Sequence, residues 1–126
     1  MSLIEAVVAT AVLVVGVAAL LHLFLVAARA TSDSRDDTYA TVLALQKIEE
    51  LRARPFSAVP ETVEYLDARG AAVAGPAPGR LYERRWVVEP LPADLRDAVA
   101  MTVVVFRRGA RDRAVRLSTI RTRRDQ

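Results

Sequence analysis

Cysteine is absent from the chain, so no disulfide framework, thiolate metal site or thiol nucleophile can be built, and the redox compartment cannot be read from thiols. Histidine occurs once, as His22 inside an apolar stretch, and a Ser-His-Asp arrangement cannot be assembled around it. Glycine is sparse, and no phosphate-cradling glycine loop occurs. Aromatic residues make up only 6% of the chain, and Lys47 is the one lysine among 18 Lys and Arg residues. Proline is missing between Met1 and Arg54, where Gly16 is also the only glycine. No catalytic residue, metal ligand set or cofactor site emerges. With 126 residues there is room for one domain of ordinary size.

A long apolar run is what the chain does have. The 23 residues from Ala6 to Ala28 carry no formal charge and are interrupted only by Thr10, Gly16 and His22. As a helix they extend roughly 35 Å, enough to cross a bilayer's hydrocarbon core of about 30 Å. A cleavable secretory signal wants a basic start and a core of about 7–15 apolar residues. Here an acid, Glu5, precedes a longer core. The nearest cations, Arg29 and Arg35, follow the span, which by the positive-inside rule alone places the C-terminal part in the cytoplasm. The alternative is a short basic leader, once ahead of Met1 and since removed, which also accounts for an apolar segment beginning at residue 1. Charge is uneven beyond the span: residues 1–79 have a net charge of −3 and residues 80–126 of +6.

The spacing predicts one long helix followed by an antiparallel sheet, an α+β fold. From Met1 to Arg54 the composition is helix-forming, with Thr31-Ser32-Asp33-Ser34 as the weakest part. Downstream, Ala40, Ala44, Ile48 and Leu51 fall on one face, with Leu45 at its edge and Gln46, Glu49 and Glu50 turned away. Pro55 stops the helix, and Arg52 and Arg54 suit its negative end. A strand is expected over Thr62–Leu66, then a turn at Asp67-Ala68-Arg69-Gly70 and a breaker at Gly75-Pro76-Ala77-Pro78-Gly79. Three better strands follow. Arg80–Glu89 sets Tyr82, Arg84, Trp86 and Val88 on one face. Ala98–Arg107 alternates Val99, Met101, Val103 and Val105 against Thr102, Val104 and Phe106. After a turn over Arg108–Asp112, Arg113–Thr122 closes the meander.

Few residues carry chemistry. Glu5 stands at the mouth of the apolar run, where an ionised carboxylate is costly unless paired. Either it marks the headgroup level of an ordinary anchor, or it pairs with a cation on another chain, the best candidate being the α-amino group at residue 1 of a neighbour. His22 has no second histidine and no carboxylate one turn away, so it reads as a helix-packing or cavity-facing residue rather than a ligand or proton carrier. Asp33, Asp36 and Asp37 lack the spacing of a calcium loop and read as a solvated helix surface. Arg107, Arg108, Arg111, Arg113, Arg116, Arg121, Arg123 and Arg124 could contact phosphates. Asp112 and Asp125 interleave with them, and Tyr82, Trp86 and Phe106 are each assigned to the core. A solvated edge that discourages sheet aggregation is the reading preferred.

The order Met1-Ser2-Leu3-Ile4-Glu5-Ala6 ahead of an apolar helix resembles the mature N-terminus of type IV pilins and pseudopilins. In that family a basic leader is removed by the prepilin peptidase, the new first residue is N-methylated, and a glutamate stands fifth. The resemblance implies that Met1 is the processed and methylated residue and that Glu5 makes an intersubunit salt bridge. It implies a transmembrane or filament-core half-helix over residues 1–28, an amphipathic half over 29–54 and a sheet head over 55–126. It further implies a non-enzymatic assembly subunit without cofactors. Its expected partners are other minor and major pilins, the prepilin peptidase, the inner-membrane assembly platform and membrane lipid; nucleic acid bound by the arginine-rich end is a minor alternative. Before assembly such a subunit sits in the bacterial inner membrane with its head in the periplasm, and afterwards in a filament or its tip.

Leu43–Arg52 with Pro55-Phe56, and the strands around Tyr82–Val88 and Val115–Thr119, are similar to both PilV-type minor pilins and GspI-type minor pseudopilins of type II secretion. Leu66-Asp67-Ala68-Arg69-Gly70 resembles the PilV-type turn. Many major pilins carry a proline where His22 stands, and many close their C-terminal region with a disulfide that cannot form here. Both departures suit a minor subunit. The competing class is a single-pass anchored binding protein that never polymerises, for which Glu5 is dispensable and Met1 is the initiator residue.

Overall fold

The computed structural model describes residues 2–92 and 97–123. With no proline before Pro55, nothing interrupts backbone hydrogen bonding, and one helix, α1, runs Leu3–Ala53. The helix passes through Thr31–Ser34 without loosening. Thr31 Oγ1 donates to the carbonyl of Ala27 at 3.0 Å, which satisfies the hydroxyl without breaking the ladder. The end comes where expected: Arg54 precedes Pro55, a position that disfavours helical backbone, and its N–H closes a tight last turn onto the Leu51 carbonyl at 3.3 Å.

The chain divides into two units, Met1–Arg35 and Asp36–Gln126. In the first, the described residues are helical from Leu3 onward, and residues 2–32 are all exposed. In the second, the remainder of α1 packs on five antiparallel strands: β1 Val59–Leu66, β2 Ala72–Val73, β3 Tyr82–Pro90, β4 Ala98–Arg107 and β5 Ala110–Thr122. They lie in the order β2-β1-β3-β4-β5. The fold is thus α+β, a long N-terminal helix with a small antiparallel sheet.

Strand alternation makes the core. Tyr82, Trp86 and Val88 of β3 and Val99, Met101, Val103 and Val105 of β4 point to the helix side and are buried with Leu66. The helix contributes two adjacent i, i+4 rows, Ala40-Ala44-Ile48 and Leu43-Lys47-Leu51. Leu45 belongs to neither row and is 49% exposed, so the expected edge of the apolar face lies on the other side, at Leu43 and Lys47. Phe106 also departs from expectation. It lies on the face away from the helix, with the guanidiniums of Arg85 and Arg111 5.4 and 5.6 Å from its ring centre.

Two turns set the sheet's register at one end. In the first, Asp67 Oδ1 accepts from the N–H groups of Arg69 and Ala71 at 2.8 and 3.0 Å, and Gly70 adopts φ +78°. The second is tighter than the expected five-residue turn. Arg107 pairs with Ala110, leaving only Arg108 and Gly109 between the strands, and Gly109 supplies φ +84°. β1 begins three residues before Thr62, with a register shift at Pro60, a residue that cannot donate to the ladder.

Candidate functional site

Glu5 occupies the first turn of α1. The N–H of Ser2 donates to Glu5 Oε2 at 3.0 Å, and the N–H of Glu5 donates to Ser2 Oγ at 3.3 Å. This reciprocal pair is a capping box, which satisfies two of the four donors a helix start leaves unpaired. It also sets a negative side chain against the positive end of the helix dipole. The carboxylate therefore has a role within its own chain. The Ser2-x-x-Glu5 spacing is itself a sequence signature of the cap. Met1, the other candidate site residue, lies outside the described residues.

Behind Glu5 the helix is apolar on every side. Fifteen large apolar side chains between Leu3 and Val26 are exposed, Leu3 at 83% and Phe24 at 71% among them. At about 1.5–3 kcal/mol each, removing them from water is worth on the order of 20–45 kcal/mol. That exceeds the net stability of a typical domain, about 5–15 kcal/mol. Covering such a surface with an apolar phase is strongly favourable. The helix is long and apolar enough to span a membrane. His22 sits within this surface.

In the second unit, charge is buried under the helix. Lys47 and Arg84 are each only 4% exposed. Arg84 donates through Nη2 and Nε to Glu64 Oε2 at 2.6 and 3.1 Å, and through Nη1 to the Leu43 carbonyl at 3.0 Å. Lys47 Nζ reaches Glu50 at 2.8 Å and Glu64 at 3.4 Å, and lies 4.2 Å over the centre of the Trp86 ring. The Lys47 ammonium, with Arg54 beyond it, holds the Glu50 carboxyl below the usual carboxylate range against a modest burial penalty. The arrangement ties α1 to β1 and β3 at fixed positions. Sequence periodicity missed it because it assigns charged residues outward by default. The one signal was Arg84 sharing a strand face with Tyr82, Trp86 and Val88.

The arginines of the C-terminal region do not converge on one surface. Arg107 pairs with Asp36 at one end of the head. At the opposite end Arg121 donates to the Arg54 carbonyl at 2.8 Å, and Arg123 pairs with Asp97 at 3.4 Å. Eight strand residues, about 27 Å, separate the two groups. Arg124 and Asp125 lie outside the described residues. Among the described residues no cluster of three or more His, Cys, Asp or Glu side chains could hold a metal ion. Comparison with protein-family models, curated proteins and solved structures returns no match.

Proposed function

We propose that the chain is a minor pilin, a structural subunit of a type IV pilus that takes part in priming the filament or forming its tip. The carrying observation is Glu5 in the first turn of an apolar helix whose later half is docked on a small antiparallel sheet. The apolar half holds the subunit in the inner membrane, with the sheet head in the periplasm, and then packs against like helices in the filament core. The large exposed apolar surface supports both stages, since lipid and neighbouring helices cover it equally well. Prepilin processing leaves a free, N-methylated amine on Met1, and Glu5 exchanges its capping partner for the amine of an adjacent subunit. That exchange sets the axial register of addition. The head, fixed by the Lys47–Glu64–Arg84 cluster, contacts other minor subunits.

The capping box makes the test discriminating. Glutamine serves at this position of a capping box as glutamate does, so Glu5→Gln keeps the helix start and loses only the charge. Glu5→Ala loses both. If the intersubunit salt bridge operates, both variants insert into the membrane, and both are depleted about tenfold or more from sheared filaments, as expected for a loss of about 1.4 kcal/mol or more. Filament incorporation of Glu5→Gln at the unaltered level would refute the salt bridge and leave Glu5 as a helix cap only, whereas absence of the unaltered chain itself from filaments would refute the pilin reading.

A further inference from the structure

The sheet of the head has two edges, and they are finished differently. On one side β1 is partly covered by the short β2, carries Pro60 and breaks register there. Short edge strands, prolines and bulges are the usual devices that keep an edge from recruiting another chain. On the other side β5 ends the strand order, and its outer edge has no strand beside it among the described residues. Residues 111–114 of β5 face only Phe106 of β4, so the strand is bulged near the hairpin. Over residues 115–122 the pairing is regular and free of proline and glycine. The N–H of Arg123 donates to the Asp97 carbonyl at 2.9 Å, one step beyond the Ala98–Thr122 pair. Antiparallel bonding alternates along a strand. The odd-numbered residues of 115–121 therefore bond to β4, while the N–H and C=O of Arg116, Ser118 and Ile120 point away from it.

The side chains along this edge determine what can pair with it. Arg116 makes no ion pair, hydrogen bond or ring contact among the described residues. Ile120, further along the same face, is 61% exposed. Ser118 between them meets Thr102 hydroxyl to hydroxyl at 3.2 Å and leaves its own N–H at the edge. On the opposite face Val115 and Leu117 pack on the core but are only partly buried, so the apolar interior runs out at this edge unfinished. In charge, β5 sets four arginines against one aspartate, a surplus of three positive charges. Arg121 is held by a carbonyl rather than a carboxylate, which leaves its charge uncancelled. A second copy would lay this surplus along an equal one, and like charges across an interface are penalised. An acidic strand removes it. We infer that the free edge of β5 accepts an extended acidic segment of another protein as an added strand, with a carboxylate opposite Arg116 and an apolar residue opposite Ile120. Main-chain bonds to Arg116, Ser118 and Ile120 supply the adhesion, and the two side-chain pairs supply the selection. The arginines thus exclude self-pairing without closing the edge. Only the head takes part, so this docking goes beyond the assembly reading and does not require it.

The full chain in detergent is titrated with a fluorescein-labelled short peptide that alternates valine and threonine and carries glutamates, and binding is read by anisotropy. The same peptide with lysines, and one with a central proline, serve as comparisons. The acidic peptide should bind saturably, and the other two about tenfold more weakly or worse. Ser118→Pro removes an N–H that points away from β4, a placement in which an edge strand tolerates proline. Its Tm, followed through Trp86, should hold while affinity for the acidic peptide falls about tenfold or more. Arg116→Glu should cost about fivefold and turn the preference toward the lysine peptide. That reversal decides the matter if Ser118→Pro unfolds the head. No saturable binding, equal affinity for the acidic and lysine peptides, or unaltered affinity in Ser118→Pro would overturn the site. So would a dimer of the chain in sedimentation that Ser118→Pro dissolves, which would assign the edge to a second copy.

Discussion

Replacing Glu64 tests whether the buried charges hold α1 on the sheet. Its Oε2 accepts two bonds from Arg84 and lies 3.4 Å from Lys47, while both cations are almost wholly buried. Removing one partner of a fully buried pair costs about 3–5 kcal/mol, whereas a solvent-screened pair is worth about 0–1 kcal/mol. The Glu64 side chain is 24% exposed, which puts Glu64→Ala at about 2–3 kcal/mol. For a head of this size that lowers Tm by roughly 10–20 °C. Glu64→Gln, which keeps an acceptor for Arg84, should lose about half as much. Glu61→Ala, whose contact with Arg85 is 3.8 Å and largely exposed, should lose under about 0.5 kcal/mol. The full chain in detergent, unfolded by denaturant and followed through its single tryptophan, Trp86, reports on this region directly. A loss from Glu64→Ala no larger than that from Glu61→Ala would refute the reasoning.

Two further expectations follow from local geometry. A Cβ on Gly70 would stand 3.0 Å from both Leu43 Cδ2 and Tyr39 Oη, at φ +78°, whereas one on Gly109, at φ +84°, would meet open space. Gly109→Ala should cost about 1–2 kcal/mol from backbone strain alone, and Gly70→Ala about 1–2 kcal/mol more from crowding; equal losses in thermal denaturation would contradict the packing of the Asp67–Ala71 turn on the helix. Stability should also depend on pH at both extremes. Glu50, lowered chiefly by its hydrogen bond to Lys47, contributes fully above its ordinary value near 4.5, and this contribution disappears as pH falls through the folded value. Tyr82, raised chiefly by burial and then by Asp36, contributes fully below about 10, and its contribution disappears as pH rises through the folded value. Glu50→Gln should flatten the acid limb of the stability profile, and an unaltered limb would exclude Glu50 as its source.

The elements most legible in the sequence are those with a long or strict period. The uncharged run and the proline-free stretch to Arg54 imply a single helix, and the alternation of Val99, Met101, Val103 and Val105 specifies which face of β4 is buried. β2 is illegible because two residues, Ala72 and Val73, have no period. The burial of Lys47 is illegible for a different reason: its cost is offset by Glu64, a residue on another element, and no local pattern records that partner. Phe106 reads as core by residue type, yet strand parity already puts it opposite Val105, and parity prevails. At the candidate site, Glu5 is conspicuous as an acid before an apolar run. Its bond to Ser2 becomes legible once the carboxylate is considered as an acceptor as well as a charge.

The account's central claim, that this is a pilin-type subunit matured by a prepilin peptidase, is tested most directly by mass spectrometry of the native N-terminus. The protein would be taken from its own cells, together with the sequence of the gene upstream of Met1. The account predicts an N-methylated Met1 generated from a longer precursor with a basic leader. An unmethylated initiator methionine, with no leader encoded ahead of it, would contradict the claim and leave a single-pass anchored head.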